Sequence, residues 1–201
     1  RLVAVTAASN LIGTRPPVRA IADLAHEGGA LVHVDGVHLT AHAAVDVDAL
    51  GADFYACSPY KFLGPHLGVL AADPALLEML RPQKLLPSTD AVPERFELGT
   101  LPYELLAGVT AAVDFLAGIA GTGPTRRDRL VTSMAAVEEH EDRLRARIEA
   151  ALADLPVTVY SRAAHRTPTL LIDVPGRETA DAYAFLAGRG INAPAGSFYA
   201  L

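Results

Sequence analysis

The apolar run at residues 31–34 stops on Asp35, and a second run at 54–57 stops on Ser58 and, three residues on, Lys61. Runs this short, bounded by turn-forming residues and separated by helical segments, read as strands buried in a parallel sheet. A third run, 2–5, precedes them. Between it and 31–34, Pro16-Pro17 opens a helix with Val18, Ile21 and Ala25 on one face, and Gly28-Gly29 stops it. Strand, helix and strand form a βαβ unit with a right-handed crossover. In open α/β sheets, ligands bind beyond the carboxyl ends of the strands, where Asp35 and Lys61 both fall.

The rest of the chain extends this pattern. Residues 41–50 are weakly helical, with Asp48 as a cap and Gly51 as the stop, and 68–72 reads as a fourth strand. Asp73-Pro74 starts a helix over 75–80, with Pro74 in its preferred first turn. Residues 81–98 carry three prolines and no periodicity, which predicts a long functional or partner-contacting loop. The segment 104–120 is apolar on all sides and predicts a buried helix. Composition changes at Gly121-Thr122-Gly123-Pro124. A long charged helix over 125–155 follows, then strands at 157–160 and 169–174, a helix over 179–188 and a strand near Ile191-Asn192. A domain boundary is expected at 121–123, giving 1–121 as part of a large α/β domain with a mostly parallel sheet. Residues 122–201 then form part of a smaller α+β domain.

Bulk properties narrow the function. At 201 residues and 51% apolar, the chain has enough material for a packed core in one domain, or in one domain and part of another. No apolar run approaches the ~20 residues of a membrane-spanning helix. The net charge of −6 has no basic block to offset it and speaks against a nucleic-acid partner. A single cysteine, Cys57, excludes an internal disulfide and a multi-cysteine metal cluster and fits a reducing, cytoplasmic compartment. The chain starts at Arg1 inside a strand-like run, with no signal peptide there, and ends without a closing helix. It is expected to be part of a longer polypeptide.

An acid and an amine at neighbouring strand ends, with Ser58 three residues before the lysine, suit pyridoxal 5'-phosphate. That cofactor needs a lysine for its Schiff base and an acid that keeps its pyridine nitrogen protonated, so that the ring accepts the electrons of a Cα carbanion. The lysine must be partly desolvated to act as a nucleophilic amine near neutral pH. Each residue also has a plainer reading: Asp-Gly as a turn, Lys61 as a solvated side chain, Ser58-Pro59 as the start of a turn. The five histidines between His26 and His66 match no standard zinc spacing. Asp46 and Asp48 are read as helix caps, the charges over 138–147 as a solvated face, and no G-x-G-x-x-G or P-loop pattern occurs.

Four segments carry a resemblance: A-S-N-L-I-G-T, L-V-H-V-D-G-V-H, D-F-Y-A-C-S-P-Y-K-F-L-G-P and F-E-L-G-T. In their order and approximate spacing the chain resembles the class V aminotransferase family, specifically its cysteine desulfurase-like branch. The resemblance implies a pyridoxal-phosphate-dependent transferase fold of the aspartate aminotransferase type and an enzyme acting on a small amino acid. Lys61 would be the Schiff-base lysine and proton shuttle, and Asp35 the partner of the pyridine nitrogen. Val37 would pack on the ring, and His38 would stand where desulfurases usually have Gln near the phenolic oxygen. Ser58 would hold the phosphate, Tyr60 would replace the usual His before the lysine, and Asn10 would lie near cofactor and substrate carboxylate. Gly99 and Thr100 would reach the phosphate of a neighbouring subunit, which implies a homodimer with interfacial active sites.

The chain departs from the desulfurase pattern at two places. Where those enzymes carry a mobile-loop cysteine, it reads Pro194-Ala195-Gly196-Ser197-Phe198-Tyr199. Cys57, on the strand leading to Lys61, lacks the exposed thiolate that persulfide chemistry needs. The family's N-terminal segments and C-terminal arginine have no counterpart in these residues. The expected activity is therefore pyridoxal-phosphate-dependent but not persulfide-forming, with aminotransfer, epimerisation and β-elimination all open. A non-catalytic descendant that keeps the fold as a binding or scaffold protein is the alternative.

Overall fold

The computed structural model describes residues 1–97 and 99–196. Two compact units divide the chain, Arg1–Ala7 with Pro17–Ala136 and Ala8–Pro16 with Val137–Leu201.

The first unit is built on a four-stranded sheet in sequential order: β1 (Leu2–Thr6), β2 (Leu31–Asp35), β3 (Phe54–Cys57) and β4 (Val69–Ala72). β1, β2 and β3 are parallel, in a register that places Thr6 beside Asp35 and Asp35 beside Ala56. β4 returns antiparallel, Cys57 opposite Val69. Val32 and Val34 on β2 are completely buried, each contributing roughly 1.5–3 kcal/mol by leaving water. This makes β2 the centre of the core and fixes its register, because a slip by one residue would turn both valines outward. α1 (Val18–Glu27) buries Val18, Ala22 and Ala25, one residue per turn on a single stripe.

Helix ends follow local chemistry. α2 (Val47–Leu50) is capped by Asp46, whose Oδ1 accepts from Ala49 N at 2.9 Å; of the two aspartates read as caps, Asp46 fills the role and Asp48 lies in the first turn. Gly51 closes it at φ +68, a conformation open to glycine without a Cβ penalty. α3 (Pro74–Met79) is capped by Asp73, which accepts from Ala75 N at 2.6 Å. The loop expected at 81–98 holds one turn of 3-10 helix, Glu94–Phe96, in which Arg95 is buried; Arg95 pairs with Glu78 and donates to Leu80 O at 3.3 Å.

α4 (Tyr103–Gly118) corrects the expectation of a buried helix. Only Ala112 and Ala117 are buried, while Tyr103, Leu106 and Phe115 are exposed. Uniform apolarity along a helix shows that it lacks a solvent-selected face, but does not name what covers it. Its C-terminal end is held to α5 (Arg126–Leu152) by the fully buried Ser133, whose Oγ accepts from Ala120 N at 3.2 Å and donates to Ala117 O at 3.4 Å.

In the second unit, β5 (Thr158–Val159) and β6 (Ile172–Asp173) pair antiparallel, and α6 (Thr179–Ala187) follows. The strand expected near Ile191-Asn192 does not form, and the two that do are shorter than the apolar runs that predict them. A loop at 9–14 is bridged to Arg166, and Gly13, at φ +74, passes so close to Thr167 O that a Cβ there would lie 2.8 Å from it. The charged face of α5 is only partly solvated. Arg145 reaches Asp142 at 2.8 Å, and Glu149 pairs with Arg166.

Candidate active site

Asp35 is the last residue of β2, and the ladder continues one step past it on both sides: Ala7 N donates to Asp35 O and Gly36 N to Ala56 O, both at 2.8 Å. Three parallel strand ends are thereby held level. The Asp35 carboxylate is exposed, and its Oδ1 accepts from Val37 N at 3.0 Å, closing an Asx turn. Gly36 has to be glycine for packing reasons. A Cβ would stand 2.5 Å from Cε1 of Tyr55 and overlap Cζ and Oη. Tyr55 is 4% exposed, and burial pushes its phenol up to about 12, against the opposing effect of a hydrogen bond with Thr40.

The chain then enters a 3-10 turn, Leu39–Ala41, anchored by the buried Leu39. His38, just before it, is half-buried, with its ring 4.8 Å from that of His42 and tilted by 59°. Burial, helped by the neighbouring charges of His42 and Lys61, lowers the His38 pKa to about 4. At neutral pH the ring is uncharged and carries one donor and one acceptor nitrogen.

β3 leads into Ser58 and a second 3-10 turn, Pro59–Phe62, seated by the buried Pro59 and Phe62. Lys61 N donates to Ser58 O at 3.0 Å and Gly64 N to Pro59 O at 2.8 Å. Leu63 ends the turn at φ +69, a left-handed conformation uncommon for a leucine. Serine is a favoured helix cap, yet the Ser58 hydroxyl makes no capping bond to this turn. The half-buried Lys61 makes no ion pair among the described residues. Of the chain's two lysines, the other, Lys84, is committed: its Nζ donates to Ser88 O at 2.7 Å and lies 3.2 Å from Asp90. Tyr60 stacks parallel on His66, ring centres 4.9 Å apart.

Asp35 at the end of β2, Val37 and His38 just after it, and Ser58, Tyr60 and Lys61 just after β3 thus lie at two adjoining strand ends. Asn10 is carried by the second unit, exposed in the loop where Ser9 Oγ accepts from Leu11 N at 3.2 Å. Gly99 and Thr100 are exposed, Gly99 at φ +72, and the preceding Leu98 of the F-E-L-G-T segment lies outside the described residues. So do 197–201, which include part of the stretch matched to the desulfurase loop. Cys57 is half-buried, and burial raises its pKa.

No group of three metal-ligating side chains occurs among the described residues. His26 instead pairs with Asp53 at 2.8 Å, and His33 stacks on Phe54 with ring centres 6.4 Å apart. Sequence reasoning missed Thr40 and Tyr55, which meet under the turn after β2. The one available signal was the Gly after Asp35, which a turn explained equally well. The close approach of a ring from another strand is a tertiary fact.

The solved cysteine desulfurase CsdA of Escherichia coli superposes on this chain with a TM-score of 0.82 and 29% identity, covering 96% of this chain and 48% of its own. The apo cysteine desulfurase of Thermococcus onnurineus gives 0.80 and 26% over 95% of this chain and 48% of its own. The fold is therefore that of the pyridoxal-phosphate-dependent fold type I class, of which this chain comprises about half. A family profile described as aminotransferase class-V matches residues 1–200. The chain belongs to the class-V aminotransferase family, whose members depend on pyridoxal 5'-phosphate. Aminotransferase-like protein FGM3 of Gibberella zeae is 38% identical over 88% of this chain and 43% of its own length. The cysteine desulfurase of Dickeya dadantii is 33% identical over 95% and 46%. The chain spans less than half the length of these relatives. No described helix is long and apolar enough to cross a membrane.

The residues at the strand ends fit the cofactor by their chemistry. A carboxylate suits the pyridine nitrogen, an amine without an ion pair suits the carbon it would bond, and a hydroxyl that caps nothing suits the phosphate.

Proposed function

We propose that this chain is the lysine-bearing portion of a pyridoxal-phosphate-dependent enzyme that acts on a small amino acid. The observation that carries the proposal is that Asp35 ends β2 and Lys61 lies in the turn after the adjoining parallel strand β3, with no ion pair to the lysine amine among the described residues. The cofactor, when bound, supplies an electron sink for a carbanion at the substrate Cα. Lys61 Nζ is then the covalent anchor, and the base that takes the Cα proton and returns it. Asp35, its Oδ1 already held by Val37 N, pairs with the pyridine nitrogen. Val37 packs on the ring, the neutral His38 hydrogen-bonds the phenolic oxygen, and Ser58 holds the phosphate beside Tyr60. Asn10 serves the substrate side. Gly99 and Thr100 serve the neighbouring subunit of a cytoplasmic homodimer, with 1–121 as the large-domain portion and 122–201 as the small-domain portion.

The relatives named cysteine desulfurases suggest an amino-acid substrate. Two features support a reaction other than persulfide formation: residues 194–199 contain no cysteine, and the Cys57 thiol is held protonated by burial. The protein incubated with pyridoxal phosphate should gain a visible absorbance band that changes with some members of an amino-acid panel. Product analysis by mass spectrometry then separates aminotransfer, epimerisation and elimination. A protein that takes up no cofactor overturns the proposal, and sulfide with alanine from cysteine overturns the exclusion of desulfuration.

A further inference from the structure

Two hydroxyls in the first unit, that of the buried Tyr55 and that of the half-buried Thr40, meet beneath the turn after β2. Tyr55 points from β3 under the Gly36 backbone, and its Oη lies 2.8 Å from Thr40 Oγ1. Thr40 Oγ1 lies 2.7 Å from Gly36 O. Since the carbonyl only accepts, the threonine hydroxyl donates to it and the phenol donates to the threonine. The direct path from Tyr55 Oη to Gly36 O is 3.5 Å, long for an O–H···O bond. Gly36 O also accepts from Thr40 N at 3.0 Å, so Thr40 grips that carbonyl twice. The loop closed by this grip contains Val37, whose N–H orients the Asp35 carboxylate. Polar groups inside a core carry a desolvation cost that a satisfied network offsets.

We infer that Thr40 and Tyr55 are positioning residues for Asp35: they form a hydrogen-bonded tether that locks the 36–40 turn and ties it to the strand leading to Lys61. The inference rests on the proposed function, in which Asp35 holds the pyridine nitrogen. Its physical content is that the acid and the amine belong to different strand ends, and backbone pairing alone leaves the side chain of the last residue of β2 free to turn. Tyr55 lies two residues before Cys57 on β3. The tether therefore links the acid's turn to the amine's own strand. Thr40 also borders an apolar cavity of about 170 Å³ lined by Ala43, Phe62, Leu116 and Met134. Valine at position 40 keeps the β-branched shape and removes the hydroxyl, and Thr40→Ser keeps the hydroxyl and removes the methyl, so the two variants together separate the hydrogen bond from the packing.

The test uses the purified protein and pyridoxal phosphate itself as probe. Thr40→Val leaves a buried phenol without its acceptor, and should raise the cofactor dissociation constant about tenfold. It should also shift the pH midpoint of the bound visible band, because the acid facing the ring nitrogen is no longer fixed. Thr40→Ser restores the hydroxyl and should return both values to within twofold of wild type. Tyr55→Phe should have a smaller effect and add nothing to Thr40→Val, since both break one chain. Without cofactor, amide hydrogen exchange over 36–41 should quicken in Thr40→Val. If Thr40→Val lowers only the unfolding temperature and leaves affinity, band midpoint and local exchange unchanged, the pair is merely structural and the inference fails. If wild type takes up no cofactor, the functional reading fails and this inference with it. If wild type binds and every variant binds equally, the inference alone fails.

Discussion

Gly36→Ala tests the packing that sets the site. The added Cβ would lie 2.5 Å from Cε1 of Tyr55 and closer to Cζ and Oη, where ordinary contact needs well over 3 Å. Tyr55 is 4% exposed and Val34, beside it on β2, is completely buried, so the ring cannot retreat without disturbing the core. Overpacking of this kind costs about 1–3 kcal/mol. A displaced ring also loses its 2.8 Å bond to Thr40, which adds about 1 kcal/mol. The sum is about 2–4 kcal/mol, a large part of the 5–15 kcal/mol typical of a folded domain. Urea unfolding followed by far-UV circular dichroism reads it as a lower midpoint at unchanged slope. In a Tyr55→Ala background the same Gly36→Ala change should cost well under 1 kcal/mol, because the clash has no partner. A midpoint equal to wild type, or an equal loss in both backgrounds, would refute the argument.

Other outcomes follow from single contacts. Ser133→Val should destabilise by about 1–3 kcal/mol, read from thermal unfolding, because Ala120 N and Ala117 O lose their shared partner at a fully buried position. The His38 pKa is depressed, so the folded state binds fewer protons there than the unfolded state, and stability falls as pH drops from 6.5 towards about 4. His38→Gln should flatten that slope in urea midpoints taken between pH 4.5 and pH 7. Asp46→Ala should cost about 1 kcal/mol through loss of the α2 cap, whereas Asp48→Ala should leave the midpoint nearly unchanged.

The sheet was legible because its strands are short apolar runs with stops at their ends, and every stop that mattered (Asp35, Gly51, Ser58 and Asp73) acts locally. The acid and the amine were legible for the same reason: each is the residue, or nearly so, at which a run ends. What stayed hidden depends on contacts distant in sequence. The exposed side of α4 looked like core because composition carries no record of a neighbour. Which of Asp46 and Asp48 caps α2 stayed hidden because they are chemically equal, and only the backbone geometry at Asp46 directs its oxygen to Ala49 N. The weak strands of the second unit shrank to two residues each, since among the described residues each pairs only with the other. Thr40 and Tyr55 were hidden because a hydroxyl bridge from a turn to a neighbouring strand has no spacing in the sequence.

The account turns on Lys61, and one measurement reaches it directly. The protein, incubated with pyridoxal phosphate, is reduced with borohydride, digested and mapped by mass spectrometry. The account predicts the reduced cofactor on the peptide containing Lys61, loss of that label in Lys61→Ala, and none on Lys84, whose amine is already paired with Ser88 and Asp90. Label on Lys84, or no label on either lysine, would contradict it.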